Sequence, residues 1–420
     1  PPAPARALGL PPCRLDAHDL PAFNCAPAGG ECSGPRCCQR DGDQCYMFNM
    51  SYAVCRPSCT KRPGRMCEKL GVRVCPQCRP PGQSRTTVVI PTFERDICKA
   101  VILVKSIVKH DPNHYLGDVR VAWVSPLSPS NFKYQIDQMK RAITDAGGRS
   151  FTFMDFSSSI GCRQWSGQKC INPVIQGWFV QQTLKLKIAS VVQSDYYVLF
   201  DSKNALVQDV EEDTFLENCM RARIIGNLPF ARLPMPHIEW YREAAHLLGV
   251  TMDQEHHWPE SITPVVLHKQ TVLDLLAHMG EGTNPHIPCQ GPLCDWFGAS
   301  GRQPHATEFT LYHVFAYSRP DRDCFHKFER EKEVDGNLTV MSVNFWRSFT
   351  ALQNVEACQR HLAGSVSGMT FGVQAHTFQV LKGKTDAATY SQMRSCLAKV
   401  YKGAQLWEFG NEDQFVKCVG

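Results

Sequence analysis

The sequence predicts an α/β chain: a doubly wound, mostly parallel sheet preceded by a small disulfide-rich module. Two observations carry that prediction. After residue 85, short β-branched runs alternate with segments of helical apolar spacing, the pattern of strands joined by crossover helices. Before residue 79, cysteines crowd a segment with few large apolar residues, which cannot assemble a core and is normally held by disulfides. A hinge, Arg79-Pro80-Pro81-Gly82-Gln83-Ser84, separates the two.

Residues 1–12 open Pro1-Pro2-Ala3-Pro4-Ala5-Arg6, which reads as a stalk or as the trimmed start of a precursor that has lost a signal peptide or membrane anchor. Residues 13–78 form the Cys-rich module, 79–85 the linker and 86–420 the large domain. Of 21 cysteines, eleven lie in the module and ten beyond it, and the odd total leaves at least one thiol free or paired between chains. Candidate loops at Cys162/Cys170 and Cys289/Cys294 put the large domain, too, in an oxidising compartment: the Golgi or ER lumen, or outside the cell. Zinc is the alternative for Cys75-Pro76-Gln77-Cys78, in a four-Cys site with Cys59 and Cys67. Two sequons, at Asn49 and Asn337, agree with secretion and mark glycosylation sites.

Within the large domain Thr86-Thr87-Val88-Val89-Ile90 is an unbroken β-branched run, as in a strand buried on both faces. Pro91-Thr92-Phe93 turns it into a helix with Ile97, Val101, Val104, Ile107 and Val108 at helical spacing. A second strand follows at Val119–Val124, a helix around Tyr134–Ala146, a third strand at Ser150–Met154, a long helix over 177–192 and a fourth strand, Tyr196–Phe200, that runs into Asp201. The second half is less regular, with helices around 238–248, 270–278, 307–317 and 388–402 and a strand at Val340–Val343. In such sheets the chemistry sits at the carboxyl ends of strands.

A formal charge of +5 over 420 residues is too mild to make nucleic acid or a membrane surface the main partner. No run of about 18 apolar residues exists, so a membrane would be met only through an anchor outside this chain. Neither a P-loop nor a Gly-x-Gly-x-x-Gly turn follows the first strand, and no Gly-x-Ser-x-Gly elbow occurs. Kinases, dehydrogenases and the standard α/β-hydrolase arrangement are thereby disfavoured.

The most informative stretch is Gly177-Trp178-Phe179-Val180-Gln181-Gln182-Thr183-Leu184-Lys185-Leu186, followed by Asp195-Tyr196-Tyr197-Val198-Leu199-Phe200-Asp201-Ser202-Lys203-Asn204. A polar-tipped helix precedes an apolar strand that ends in an acidic group. Here the chain resembles the nucleotide-sugar transferases of the GT-A fold, in particular predicted glycosyltransferases with a G-W-x-x-Q-Q-x-x-K-L helix and a D-S-K or D-x-D strand end. The resemblance covers roughly Thr86 to Leu397 and includes Val89-Ile90-Pro91-Thr92-Phe93-Glu94-Arg95-Asp96, Glu308-Phe309-Thr310-Leu311-Tyr312 and Phe371-Gly372-Val373-Gln374-Ala375-His376.

It implies a nucleotide-sugar donor, a glycan or glycoprotein acceptor, and Mn²⁺ or Mg²⁺ to balance the departing pyrophosphate. Asp201 would be the metal ligand and catalytic anchor, with His376 as second ligand. Lys203 replaces the second acid of D-x-D, which puts metal dependence in question and lets Lys203 face the phosphates itself. Thr92, Arg95 and Asp96 would lie near base and ribose, although a helix N-terminal turn also uses Thr and Asp. Gln182 and Lys185, three apart on one helical face, would reach the donor, the bland alternative being a solvated face. Glu308 would act on the acceptor as base or hydroxyl ligand. His237, His256 and His257 are left structural.

Inside the module, residues 38–55 resemble the fungal-type cellulose-binding module, in which flat aromatic rings stack on sugar faces. Tyr52 keeps one ring position, Ser51 loses another, and Tyr46 or Phe48 would compensate, making a cellulose-like polysaccharide the candidate ligand; a spacer or protein contact is the alternative. The sequence thus reads as a secretory-pathway glycosyltransferase. Its rival is a secreted glycan-binding or structural protein that keeps the fold without catalysis, with a two-carboxylate hydrolase behind both.

Overall fold

The computed structural model describes residues 26, 29–33, 38, 44–49, 52–56, 67–70, 86–125, 127–156, 173–211, 213–217, 221–226, 228–233, 235–286, 306–330, 333–334, 337–345, 350–363, 366–373, 381 and 384–403. His376, the Cys75–Cys78 motif and the Cys162/Cys170 and Cys289/Cys294 loops lie outside them.

In the module, strands β1 (Gln44–Asn49), β2 (Tyr52–Arg56) and β3 (Glu68–Leu70) form an antiparallel sheet of order β2-β1-β3. Cys32–Cys45 and Cys38–Cys55 disulfides staple it, and these buried sulfurs with Ala26 and Ala53 are most of its core. Disulfides here replace the apolar mass that the segment lacks. Cys67 is disulfide-bonded as well, which removes it from the four-Cys zinc site considered above.

The large domain is built on β4 (Thr86–Thr92), β5 (Val119–Trp123), β6 (Phe151–Asp155), β7 (Tyr196–Leu199) and β13 (Val265–His268), in the order β13-β7-β4-β5-β6. The β4–β5, β5–β6 and β4–β7 pairs are parallel, and β13 adds an antiparallel edge strand to β7. This is the expected α/β class. Every residue of β4 is buried. Alternate side chains serve two cores: Val88 and Ile90 join α1 (Ile97–His110) and α2 (Lys133–Ala146), whereas Val89 joins α3 (Pro173–Lys187), α4 (His237–Leu248), α5 (Lys269–His278) and α6 (Glu308–Ser318). Two helical layers therefore explain why the strand is apolar at every position.

Beyond Asp201 the chain enters β8 (Asn204–Leu206), the edge of a second sheet of order β15-β16-β17-β8. There β15 (Glu333–Val334) and β8 flank the parallel pair β16 (Asn337–Phe345) and β17 (Val366–Val373) antiparallel. Helices α8 (Ala351–Leu362) and α9 (Ala387–Gly403) pack with it and are joined by the Cys358–Cys396 disulfide. Cys98 and Cys324 are disulfide-bonded too. Smaller pieces complete the domain: β9 (Leu216–Glu217), β10 (Arg221–Gly226) and β14 (His326–Arg330) form one sheet, β11 (Leu228–Pro229) and β12 (His257–Trp258) a ribbon, and α7 (Arg322–Phe325) a single turn.

Candidate functional site

Four charged side chains meet at the carboxyl end of β7, two from the turn after the strand, one from α3 and one from the start of α6. The strand is wholly buried, and it ends where Asp201 N–H donates to Asn204 Oδ1 at 3.0 Å while Asn204 N–H donates back to the Asp201 carbonyl at 2.9 Å. This closed turn holds Asp201 and Lys203 on the rim. Thr263 Oγ1 donates to the same Asn204 oxygen at 2.7 Å, which pins the turn to the segment leading into β13. Ser202 Oγ donates to Asp96 Oδ2 at 3.3 Å, tying the turn to the start of α1.

Lys185 comes from the buried face of α3, and its ammonium lies 2.9 Å from Asp201 Oδ1 and 2.9 Å from Glu308 Oε1. The Phe309 ring covers it at 4.9 Å, and Tyr197 Oη donates to its backbone carbonyl at 3.0 Å. Glu308 occupies the first turn of α6, whose N-cap Thr307 forms a reciprocal capping box with Thr310. A carboxylate there also gains from the helix dipole. Gln182, one helical turn before Lys185, accepts from the Glu308 N–H through Oε1 at 3.4 Å. Lys203 closes the set, 2.7 Å from Asp201 Oδ2.

The charges are strongly coupled. Burial works against ionised Asp201, but Lys185 and Lys203 outweigh it and hold the carboxyl well below the usual carboxylate range. Burial likewise disfavours charged Lys185, and Asp201 with Glu308 overcomes it, raising its pKa above the ordinary lysine value. Glu308 is pushed up by burial and by Asp201, against the pull of Lys185, and its Oε2 is buried with no hydrogen-bond partner. Lys185 and Glu308 are 3% and 1% exposed, whereas Asp201 and Lys203 keep 19% and 16% of their side chains in contact with solvent. The cluster has a sealed inner half and an accessible outer half.

Of the residues expected at a site, Asp201, Lys203, Lys185, Glu308 and Gln182 are therefore brought together. Gln182 and Lys185 do not form a solvated face; both are buried. Glu308, expected to work on an acceptor, is a buried counter-ion of Lys185. Asp96 pairs with Lys99 at 3.1 Å and joins the cluster through Ser202. Thr92 ends β4 with a buried, unpartnered Oγ1, and Arg95 is exposed. The sequence motifs include Ser202, Asn204 and Glu94 without assigning them a site role, and Thr263 lies outside them, although Asn directly after D-S-K is a turn signal. The Glu94 carboxylate accepts a hydrogen bond from Ser125 beyond β5.

Among the described residues, the oxygens of Asp201 offer a divalent cation a poor seat. Both Asp201 oxygens face ammonium groups, and an ion about 4 Å from one ammonium would meet about 8 kcal/mol of repulsion at an effective dielectric constant of about 20. Among the described residues the one close group of three metal-type ligands is Cys32, Cys38 and Cys55, all disulfide-bonded. In the module, Tyr46 and Phe48 are buried with Val54, so neither supplies the missing stacking ring; Tyr52 is exposed, with its ring tilted 55° to that of Phe48. Asn49 is exposed and Asn337 begins β16.

Residues 85–384 match the model of the Family of unknown function (DUF6492). No curated protein matches by sequence. Among solved structures the chain is similar to the WbbM bifunctional glycosyltransferase in its apo form, with 12% identity and a TM-score of 0.38, covering 81% of this chain and 53% of that one. It therefore spans about half the length of that protein. It is also similar to mouse xyloside xylosyltransferase 1 (10%, TM-score 0.35, 70% of this chain and 98% of that one). A third is the galactosyltransferase LgtC in complex with donor and acceptor sugar analogs (8%, TM-score 0.40, 79% and 99%).

Proposed function

The chain belongs to the DUF6492 family, and we propose that its large domain is a nucleotide-sugar-dependent glycosyltransferase of GT-A type acting on a glycan or glycoprotein in the secretory pathway. One observation carries the reading: a carboxylate and an ammonium, both partly exposed, stand at the carboxyl end of a central strand in a parallel sheet, held there by a buried Lys185–Glu308 pair. Ligands of α/β sheets bind at that edge. The G-W-x-x-Q-Q-x-x-K-L helix and D-S-K strand end support the transferase assignment, because they supply Lys185, Asp201 and Lys203.

In the reaction an acceptor hydroxyl oxygen attacks the anomeric carbon, and the bond from that carbon to the diphosphate breaks. Its electron pair leaves with the diphosphate, which also takes the hydroxyl proton. Lys203 meets the growing negative charge where water is partly excluded, which strengthens the interaction. Asp201 orients Lys203, and Lys185 with Glu308 holds Asp201 in place. Thr92, Arg95 and Asp96, on and after the neighbouring strand end, are the groups for the nucleoside. The disulfides agree with an oxidising lumen, and no helix among the described residues is long and apolar enough to cross a membrane.

The rival, a glycan-binding protein without catalysis, is favoured by the ion-paired state of both Asp201 oxygens. A panel of nucleotide-sugars, scored for nucleoside diphosphate release and for protection against thermal unfolding, separates the two. Turnover of at least one donor supports the enzyme. Absence of both turnover and stabilisation with every donor removes the enzyme reading.

A further inference from the structure

Among the described residues, both carboxylate oxygens of Asp201 are met by lysine ammonium groups. Lys185 is committed to two carboxylates at 2.9 Å each and is sealed from solvent, so it cannot turn outward. Lys203 reaches Asp201 Oδ2 at 2.7 Å from the rim turn and is partly exposed. An ammonium offers three donors, so a phosphate oxygen can compete for a Lys203 donor while another stays on Asp201. The turn that carries it is fixed on three sides, by Asn204 to Asp201, by Thr263 to Asn204 and by Ser202 to Asp96. A metal ion bound at Asp201 would have to displace one lysine and remain beside the other.

Resting on the glycosyltransferase reading above, we infer that the donor's diphosphate is bound by Lys203 in place of a divalent cation, and that this site works without metal. Asp201 is then a positioning residue for the Lys203 ammonium rather than a metal ligand. The positive charge needed at the leaving group is covalently part of the rim turn, so affinity for the diphosphate does not depend on cation supply. An Arg at 203 keeps the charge and its hydrogen-bond donors, whereas a neutral side chain loses both.

Calorimetric titration of the full chain with uridine, guanosine and cytidine diphosphates tests this, in EDTA and again with MnCl₂, for the parent, Lys203→Ala and Lys203→Arg. The expected result is binding of at least one diphosphate with affinity the same within about twofold in EDTA and Mn²⁺. Lys203→Ala would weaken it at least tenfold, about 1.4 kcal/mol, and Lys203→Arg would restore most of the loss. Binding that falls tenfold or more in EDTA, or a Lys203→Ala protein that binds like the parent, overturns the inference and leaves the transferase reading standing. A parent that binds no diphosphate under either condition, while its thermal unfolding shows it folded, overturns both.

Discussion

The amino and carboxyl edges of the central sheet each carry a carboxylate paired with a cation, sealed at the first and partly exposed at the second, and they use it differently. At the amino edge Asp111, just after α1, pairs with Arg149 at 3.1 Å and accepts the N–H groups of Tyr115 and Leu116 at 2.9 and 2.8 Å. Both side chains are sealed, with 0% and 1% exposure, and burial pushes the Asp111 carboxyl up to about 6 against the pull of Arg149. At the carboxyl edge Asp201 accepts no backbone bond of that kind; it faces two ammonium groups, one of them on the rim. A carboxylate saturated by its own backbone locks a fold. One neutralised by two ammonium groups, one of which reaches solvent, leaves on the rim a cation that can meet an incoming anion.

The largest expected effects come from removing each cation. Arg149→Met and Lys185→Met each strand buried carboxylate charge, a loss of about 3–5 kcal/mol in stability by urea unfolding. Equal losses would show that both pairs hold the fold. Only Lys185→Met should also abolish donor binding, and loss of binding in Arg149→Met would break the distinction.

A difference in sign with pH sharpens it further. The folded-state pKa of Asp111 lies above its ordinary value of 3.8, at about 6. Its contribution is therefore full below about pH 4 and is lost as pH rises through about 6. Asp201 is held below the ordinary value, so its contribution is present above that value and is lost on acidification. Relative to Asp111→Asn, the parent should lose up to about 3 kcal/mol between pH 4 and 7, measured by urea unfolding at each pH. A flat difference would mean that burial does not dominate at Asp111.

The smallest effect concerns the rim. Lys203→Met should change stability by less than about 1 kcal/mol, since Lys203 is partly exposed and Lys185 still covers Asp201. Thermal unfolding checks this, and a loss as large as that of Lys185→Met would make Lys203 a fold-holding residue like those at the amino edge.

Much of the sheet was legible because buried parallel strands write themselves as β-branched runs: Thr86–Ile90 reappears within Thr86–Thr92, and the spacing from Ile97 onward becomes α1. The second half was harder. Strand β17 carries Gly368 and Gly372, which dilute its signal, and β13 has four residues. Helix α8 carries a sequence signal of its own, the Thr350–Gln353 capping box at its start. At the site, Asp201, Lys185 and Glu308 were singled out by motif resemblance, while their burial was not foreseen. The apolar neighbours Leu184 and Leu186 carried that information, since a lysine between buried residues must take its charge to a partner.

The most direct test compares nucleoside diphosphate release from the best nucleotide-sugar donor by the parent, Asp201→Asn and, as the control from the other edge, Asp111→Asn, each confirmed folded at the assay temperature. Release by Asp201→Asn should fall about 100-fold or more, about 2.7 kcal/mol of barrier, while Asp111→Asn turns over like the parent. Release by Asp201→Asn at the parental rate, or no release by any of the three, would contradict this.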